Sequence, residues 1–276
     1  MTVREALQEA ARQLKQAGCP SPHVDAELLL GHALARSRTD LYTEPERVLS
    51  SEEQERFAGL VGRRASREPA AYILGEWGFR RLTLRVDPRV LIPRPETEVV
   101  VERCLAHLRG LERPLVLDVG TGSGAIALAV ADEHPGARVV ATDISPAALA
   151  VASENRALAG LEERVDLVLG DLVAGLSGPF DLVVSNPPYV APEEFDALQP
   201  EIRLYEPREA VVGVGESDAV ARRAREVLRS GSWIVLECAD GRAAEAVADL
   251  RALGYEDVAG TPDLAGRDRV VEGRRP

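Results

Sequence analysis

Short apolar segments alternate with helical ones through the last two thirds of this 276-residue chain, and this alternation limits the possible fold more than any other feature. The apolar segments have the length of buried strands and lie at 115–119, 138–142, 165–169, 180–185, 232–237, 255–258 and 269–272. Segments with helical periodicity lie at 125–134, 146–159, 218–229 and 243–253. Such alternation is typical of a parallel, doubly wound sheet with helices on both faces. The sequence therefore predicts an α/β fold.

The first 75 residues have a different pattern and predict a small helical bundle. Thr2 and Glu5 have the spacing of a capping box, and a second box is predicted from Ser51 to Gln54. Alternating residues at 82–86 then predict a β-hairpin connector. We expect a helical domain at 1–75, the hairpin connector at 76–92 and the α/β domain at 93–276. The helical domain shows no catalytic pattern, so a binding or docking role is expected.

The predicted strand at 180–185 ends abruptly at Asn186, which two prolines and a tyrosine follow. Proline fixes its own φ and lacks an N–H, and Pro187 keeps Asn186 out of helical geometry. An amide, backbone carbonyls and an aromatic ring are therefore held at the carboxyl end of a strand, where ligands bind in open α/β sheets. The alternative is a proline-rich loop that merely ends the strand.

A glycine-rich turn follows the first predicted strand of the α/β domain, with the sequence Asp-Val-Gly-Thr-Gly-Ser-Gly at 118–124. Glycines let the backbone turn tightly and approach a ligand, and the helix that follows offers free N–H groups. Asp143 ends the next strand about 20 residues on, where an acid that binds ribose is expected. Asp171, after the third strand, is either a second acid of this site or a turn residue.

Two classes of cofactor fit this arrangement, a nicotinamide or flavin dinucleotide and S-adenosylmethionine. The glycines lack the spacing expected for binding a pyrophosphate. Asp118 would repel a phosphate but attract the ammonium group of a methionine moiety. The sequence therefore favours S-adenosylmethionine, with S-adenosylhomocysteine as the product.

Composition restricts the partners. The net charge of −12 and the pI near 5.0 argue against broad binding of nucleic acid, which needs a basic face. The three cysteines are far apart and the histidines lack ligand spacing, so neither a disulfide framework nor a metal site is expected. No signal peptide or membrane span is apparent. We therefore expect a cytoplasmic monomer that acts on a protein and needs no membrane.

Four blocks of this sequence together resemble the protein-(glutamine-N5) methyltransferase family, which modifies the glutamine of the Gly-Gly-Gln loop in peptide-chain release factors. They lie at 92–98 (Ile-Pro-Arg-Pro-Glu-Thr-Glu), 118–124, 143–155 and 185–189 (Ser-Asn-Pro-Pro-Tyr). Residues 67–75 are similar to the helical domain of that family, so the resemblance covers nearly the whole chain. It implies a class I methyltransferase fold, S-adenosylmethionine as methyl donor, release factors as protein substrates and a substrate-binding role for the helical domain at 1–75.

The resemblance also implies roles for single residues. The cofactor would be bound at its methionine end, its ribose and its adenine by Asp118, Val119, Gly120, Thr121, Gly122, Asp143, Asp171 and Leu172, with Asn186 adjacent. The glutamine amide would be held by Asn186, Pro187, Pro188 and Tyr189, of which Asn186, Pro187 and Tyr189 would be catalytic. Leu172 stands where some members of the family carry a large aromatic residue, and the sequence around Glu237 departs from the family's acid-glycine pattern.

Other functions remain open from the residues alone. A methyltransferase for a glutamine of a ribosomal protein would share the site, and so would an enzyme that methylates the amino group of a flipped nucleic-acid base. Arginines clustered between residues 63 and 85 keep the second alternative open. A nicotinamide oxidoreductase and a non-catalytic binding module are more distant alternatives.

Overall fold

A computed structural model describes residues 1–263 and 265–276. In chain order its helices are α1 (Val3–Gln16), α2 (Pro22–Leu34), α3 (Arg38–Thr43), α4 (Ser51–Ala65), α5 (Ala70–Leu74), α6 (Thr97–His107), α7 (Ala125–Glu133), α8 (Pro146–Leu158), α9 (Pro200–Tyr205), α10 (Arg208–Val211), α11 (Glu216–Val227) and α12 (Ala243–Ala252). Its strands are β1 (Glu76–Phe79), β2 (Leu82–Arg85), β3 (Leu115–Val119), β4 (Arg138–Asp143), β5 (Val165–Leu169), β6 (Phe180–Ser185), β7 (Leu228–Glu237), β8 (Glu256–Pro262) and β9 (Asp268–Arg274). The chain divides into two compact units, residues 1–76 with 198–205 and residues 77–197 with 206–276.

The first unit is a group of helices around one apolar core. The capping box of α1 is confirmed, because the Glu5 amide donates to the Thr2 hydroxyl at 3.3 Å and the Thr2 amide donates to the Glu5 carboxylate at 2.8 Å. The box predicted at α4 was wrong by one position, since Ser50 caps this helix and Glu53 completes the box. Ser50 has the extended backbone that an N-cap requires, whereas Ser51 is already helical. The short helix α3 was not predicted.

The segment 198–205, which includes α9, belongs to the first unit although the sequence analysis placed it in the α/β domain. Glu201 accepts hydrogen bonds from Arg64 at 2.8 Å and from Arg67 at 2.5 and 2.8 Å. Arg64 is buried and also donates to Asp25 at 2.8 Å. A buried guanidinium needs carboxylate partners, and one of them comes from this distant segment. The predicted boundaries of the functional domains stay a prediction.

The second unit contains a seven-stranded sheet in the order β5-β4-β3-β6-β7-β9-β8 among the described residues. The five strands from β5 to β7 are parallel, as predicted. The parallel pairing predicted from the alternation does not extend to the last two strands, because β9 runs antiparallel to β7 and to β8. The connection from β8 to β9 is too short for the crossover that a parallel pair needs.

One boundary between a helix and a strand was misplaced. The sequence predicted a helix to residue 229 and a strand from 232, but β7 already begins at Leu228. Leu228 pairs with Phe180, and the register then shifts before Trp233 pairs with Leu182. Gly231 has a φ of +82° within this irregular stretch. A strand with such an irregularity lacks the regular apolar pattern from which its start could be predicted.

The sheet is buried on both faces, which explains why its central strands are almost continuously apolar. The small β1–β2 hairpin is present where it was predicted. No helix within residues 1–263 and 265–276 combines the length and the apolar composition required to cross a bilayer.

Candidate active site

The site lies where the order of the sheet reverses. From β3 the chain adds β4 and β5 on one side, and it then returns to add β6 and β7 on the other. The two strands at the reversal end side by side, with Val119 paired to Ser185, and the Ser185 hydroxyl donates to the Val119 carbonyl at 2.7 Å. Ligands bind at such switch points, outside the carboxyl ends of the strands. The glycine-rich turn leaves β3 here, and the Asn-Pro-Pro-Tyr loop at 186–189 leaves β6.

The glycine-rich turn is held open by backbone hydrogen bonds. The amides of Gly120 and Thr121 both donate to the Thr142 carbonyl at 2.9 Å. Gly120 and Gly122 have φ values of +74° and +56°, which L side chains rarely adopt. A Cβ placed on either glycine would meet nothing within 4 Å. The turn therefore leaves free space beside its backbone, as a loop that cradles a ligand must.

Asp118 lies beneath this turn and is only 1% exposed. Its Oδ2 accepts hydrogen bonds from the Thr121 hydroxyl at 2.6 Å and from the Ala127 amide at 3.2 Å. Its buried Oδ1 has no hydrogen-bond partner among the described residues. Burial raises the pKa of Asp118 to about 7, against the effect of those hydrogen bonds. A positive group close to this oxygen would stabilise the ionised form.

Asp143 fixes the far side of the turn. Its carboxylate accepts from the Gly122 amide at 2.8 Å and from the Ser145 amide at 2.9 Å. Each carboxylate oxygen keeps a further lone pair for a ligand hydroxyl. Buried Asn155 braces the same region, because its amide nitrogen donates to the carbonyls of Ser123 at 2.9 Å and Arg85 at 3.0 Å.

The Asn-Pro-Pro-Tyr loop is held by side chains from other elements. The Asn186 amide nitrogen donates to the Thr97 hydroxyl at 3.3 Å, and Thr97 donates to Glu237 at 2.7 Å. The Tyr189 hydroxyl donates to the other oxygen of Glu237 at 3.4 Å. Glu237 is 1% exposed, and burial raises its pKa to about 7 despite these two donors.

The backbone of residues 212–213 also packs against this loop. Val190 forms a bridge with Val212, and Gly213 packs so closely on Pro188 that an added Cβ would lie 2.5 Å from the Pro188 carbonyl oxygen. The contact requires glycine at this position. The loop is therefore confined both by side chains and by backbone.

A cavity of about 850 Å³, including its open mouth, lies between the turn and the loop. The predicted site residues that line it are Gly120, Thr121, Gly122, Asp143, Asn186 and Pro188. Those that the structure leaves outside its lining are Asp118, Val119, Asp171, Leu172, Pro187 and Tyr189. Asp118, Val119 and Pro187 are buried under the turn or the loop, Tyr189 points to Glu237, Leu172 packs on an apolar core, and Asp171 is exposed.

Sequence reasoning missed several residues at the cavity. Ile144 lines it with 70% of its side chain exposed, and Ser145 lies beside it. Arg94 also lines the cavity and pairs with buried Glu206 at 2.5 Å. Thr97 was noticed only as part of the block at 92–98, and Glu237 only as a departure from a family pattern. The position of Ile144 directly after Asp143, at the end of a predicted strand, could have identified it as a site residue. Nothing in the sequence links Thr97 to Glu237.

The fold and the two loops at the switch point define a methyltransferase. Residues 97–230 match the family model of the methyltransferase small domain, and residues 5–75 match that of the PrmC N-terminal domain. A solved structure of the hMettl16 catalytic domain, in complex with the MAT2A 3'UTR hairpin 6, has the same fold with a TM-score of 0.57. It is 18% identical and covers 78% of this chain and 81% of its own, so the likeness concerns the fold alone.

Full-length relatives define the family more narrowly. The release factor glutamine methyltransferase of Deinococcus radiodurans is 43% identical, over 100% of this chain and 99% of its own length. The release factor glutamine methyltransferase of Moorella thermoacetica is 44% identical, over 98% of this chain and 97% of its own. This chain belongs to the release factor glutamine methyltransferase family. It is a protein-glutamine methyltransferase.

Proposed function

We propose that this enzyme transfers a methyl group from S-adenosylmethionine to the side-chain amide nitrogen of the glutamine in the Gly-Gly-Gln motif of peptide-chain release factors. The observation that carries the proposal is the half-buried carboxamide of Asn186 on the cavity wall, opposite the glycine-rich turn. A carboxamide can pair with the substrate's own carboxamide. Relatives that match the whole chain and bear this activity in their names support the same substrate.

The residues at the turn suit S-adenosylmethionine. The open space beside Gly120 and Gly122 accepts a ligand against the backbone, with Val119 and Thr121 completing the turn. Asp118 offers a buried carboxylate oxygen without a partner, which suits the ammonium group of a methionine moiety.

Asp143 is placed to accept hydrogen bonds from ribose hydroxyls, and exposed Ile144 offers an apolar surface to the adenine. Asp171 and Leu172 at the adenine edge stay predictions. The bound cofactor supplies a methyl group that its sulfonium makes electrophilic, with S-adenosylhomocysteine as the product.

The chain's own task is to make an unreactive nitrogen attack. An amide nitrogen is a poor nucleophile because its lone pair is delocalised into the carbonyl. The Asn186 oxygen and the Pro187 carbonyl would each accept one hydrogen of the substrate amide, which orients the nitrogen and favours its pyramidal form. Pro188 keeps the loop rigid, and Tyr189 would pack on the amide plane and exclude water. The surplus proton can leave to water afterwards.

The decisive experiment compares substrates. The enzyme is incubated with methyl-labelled S-adenosylmethionine and, separately, a release factor, the same factor with the motif glutamine replaced by alanine, ribosomal proteins, and RNA. We expect label only in the unmodified release factor, at the glutamine nitrogen. Label in the alanine variant, in a ribosomal protein or in RNA would contradict the proposal and identify one of the other functions.

We also propose that the helical region at 1–75 binds the release factor in the cytoplasm, that the enzyme acts as a monomer without nucleic acid, and that 93–276 carry the methyl transfer. The match of residues 5–75 to the PrmC N-terminal domain supports a separate helical domain at these positions. Exposed apolar side chains of the first unit, Tyr42, Val48 and Leu204, are each more than 60% exposed and are available to a partner.

Replacing each of these three residues by aspartate tests the binding role. At least one variant should raise KM for the release factor about tenfold or more, with KM for the cofactor unchanged. Leu158→Asp is the matched control, since Leu158 is 62% exposed but belongs to the second unit. If none of the three variants differed from this control, the binding role of the first unit would be wrong.

A further inference from the structure

Two buried residues outside the motif connect to both ends of the Asn-Pro-Pro-Tyr loop. Thr97 is the first residue of α6 and is 4% exposed, and Glu237 is the last residue of β7 and is 1% exposed. Asn186 reaches Glu237 through Thr97, and Tyr189 reaches it directly. The four side chains come from three separate elements of one unit, so the arrangement depends on the packing of the sheet and α6.

The hydrogen bonds in this chain of groups have a direction. Above about pH 7 Glu237 is ionised and can only accept, so the Thr97 hydroxyl then donates its single proton to Glu237, at 2.7 Å. The Thr97 oxygen then has only lone pairs left for Asn186. It can accept from the amide nitrogen of Asn186, at 3.3 Å, but it cannot donate to the amide oxygen.

This direction settles which way the Asn186 carboxamide faces. The two ends of a carboxamide have nearly the same size and shape, so packing alone distinguishes them poorly. With the nitrogen bound to Thr97, the oxygen is turned away from Thr97, and Asn186 lines the cavity. The reversed orientation would present N–H groups to the hydrogens of the substrate amide, where an acceptor is required.

We propose that Glu237, acting through Thr97, fixes the Asn186 carboxamide with its oxygen towards the substrate, and that Thr97 and Glu237 are positioning residues for methyl transfer. The same carboxylate restrains Tyr189 from its second oxygen. The inference rests on the proposed function, because only an amide substrate needs the acceptor at this place. The simpler explanation, that Thr97 and Glu237 only fill space between α6 and β7, predicts different results in the following experiment.

Three substitutions separate orientation from packing. Thr97→Val keeps the shape but removes the hydroxyl, and Thr97→Ser keeps the hydroxyl. In Glu237→Gln the new amide can donate to Thr97, which lets the hydroxyl donate to Asn186 and reverses the chain of hydrogen bonds. At pH 8, where Glu237 of the parent is ionised, we expect kcat on a release factor to fall about 30-fold in Thr97→Val and Glu237→Gln and less than about threefold in Thr97→Ser. KM for S-adenosylmethionine should stay within about twofold in all three.

The double variant Thr97→Val with Glu237→Gln should be no slower than the slower single variant, because both substitutions break the same relay, the chain of hydrogen bonds from Glu237 through Thr97 to Asn186. Melting temperatures verify that each variant is folded. If Thr97→Ser were as slow as Thr97→Val, or if Glu237→Gln kept the parent kcat, the proposal would be overturned. A purely structural role predicts that activity follows the melting temperature and that Thr97→Ser, which loses a methyl group, is also impaired.

A spectroscopic measurement on the protein alone tests the orientation without turnover. In protein labelled at its threonine methyl groups and kept at pH 8, the Asn186 side-chain N–H protons should show a nuclear Overhauser contact with the Thr97 methyl group, and Glu237→Gln should weaken it. The same contact in the parent and in Glu237→Gln would refute the relay. If the parent failed to methylate a release factor while the contact behaved as expected, the proposed substrate would be wrong and the relay would stand.

Discussion

The glycine-rich turn after β3 and the Asn-Pro-Pro-Tyr loop after β6 form opposite walls of one cavity, and each rests on a buried carboxyl group. Asp118, under the turn, pairs with Thr121 and Ala127, three and nine residues further on. Glu237, under the loop, pairs with Thr97 and Tyr189, which are 140 and 48 residues away in the chain. The turn is thus held by local contacts, and the loop by contacts that exist only after the sheet has formed.

Local support suits a turn that binds the cofactor, and long-range support suits a loop that orients the substrate. A turn that receives a cofactor has to expose backbone, so glycines and local hydrogen bonds are sufficient. A loop that aims a carboxamide has to fix one side chain within a fraction of an ångström, which requires partners from rigid elements. We therefore expect changes at the loop to reduce kcat and changes at the turn to reduce cofactor affinity.

The largest effect is expected for Asn186→Ala. Removing the acceptor should lower kcat on a release factor by about 10³-fold, since the interaction strengthens in the transition state. Cofactor affinity, measured by calorimetry, should fall by less than about fivefold. Turnover at the parent rate would show that Asn186 takes no part in methyl transfer. It would also refute the expectation that changes at the loop reduce kcat.

Asp118→Asn should mainly affect cofactor affinity, whereas Asn186→Ala mainly affects kcat. Losing the charge that pairs with an ammonium group should weaken cofactor binding by about 10²-fold, and kcat at saturating cofactor should change much less. Calorimetry and saturation kinetics measure the two quantities. A normal cofactor affinity in this variant would show that Asp118 only closes the turn through Thr121 and Ala127.

The buried carboxyl groups also predict how stability depends on pH. In the folded protein Glu237 keeps its proton up to about pH 7, whereas an unfolded chain loses it near pH 4 to 5. The folded state therefore binds more protons in between, and the free energy of unfolding should fall as the pH rises from 5 to 8. Glu237→Gln should remove roughly 2 kcal/mol of this fall, as measured by urea unfolding at both pH values. An unchanged difference between the two pH values would mean that Glu237 is already ionised at pH 5.

Gly122→Ala probes the space beside the turn. A methyl group there meets no protein atom but enters the space left for a ligand, so cofactor affinity should fall about tenfold. Gly160→Ala is the matched control, because Gly160 also has a positive φ and open space around it but lies after α8, outside the cavity lining. Both variants should lose about 1 kcal/mol of stability from the backbone strain. Equal cofactor affinities in the two variants would argue against a cradle at the turn.

The smallest effect is expected for Tyr189→Phe. The hydroxyl makes one long hydrogen bond to Glu237, and the ring that would cover the substrate amide remains. We expect kcat to fall about threefold with an unchanged melting temperature. A loss as large as that of Asn186→Ala would assign the hydroxyl itself a part in the reaction.

Most of the turn could be predicted from the sequence because its determinants are neighbours in the chain. The glycines, the strand before them and the helix after them are all readable within residues 115–134. The position of the Asn-Pro-Pro-Tyr loop at a strand end was predicted for the same reason. Asp118 was identified as a site residue, but its burial beneath the turn became visible only in the structure.

The sequence by itself determined the parallel core of the sheet, the two loops at its switch point and the type of chemistry they support, because periodicity, proline and glycine act over a few residues. Only the tertiary structure decided that β9 is antiparallel, that residues 198–205 join the helical unit and that Thr97 and Glu237 meet at Asn186. These features depend on contacts between residues far apart in the chain. A hydrogen bond between two side chains 140 residues apart leaves no pattern in either local sequence.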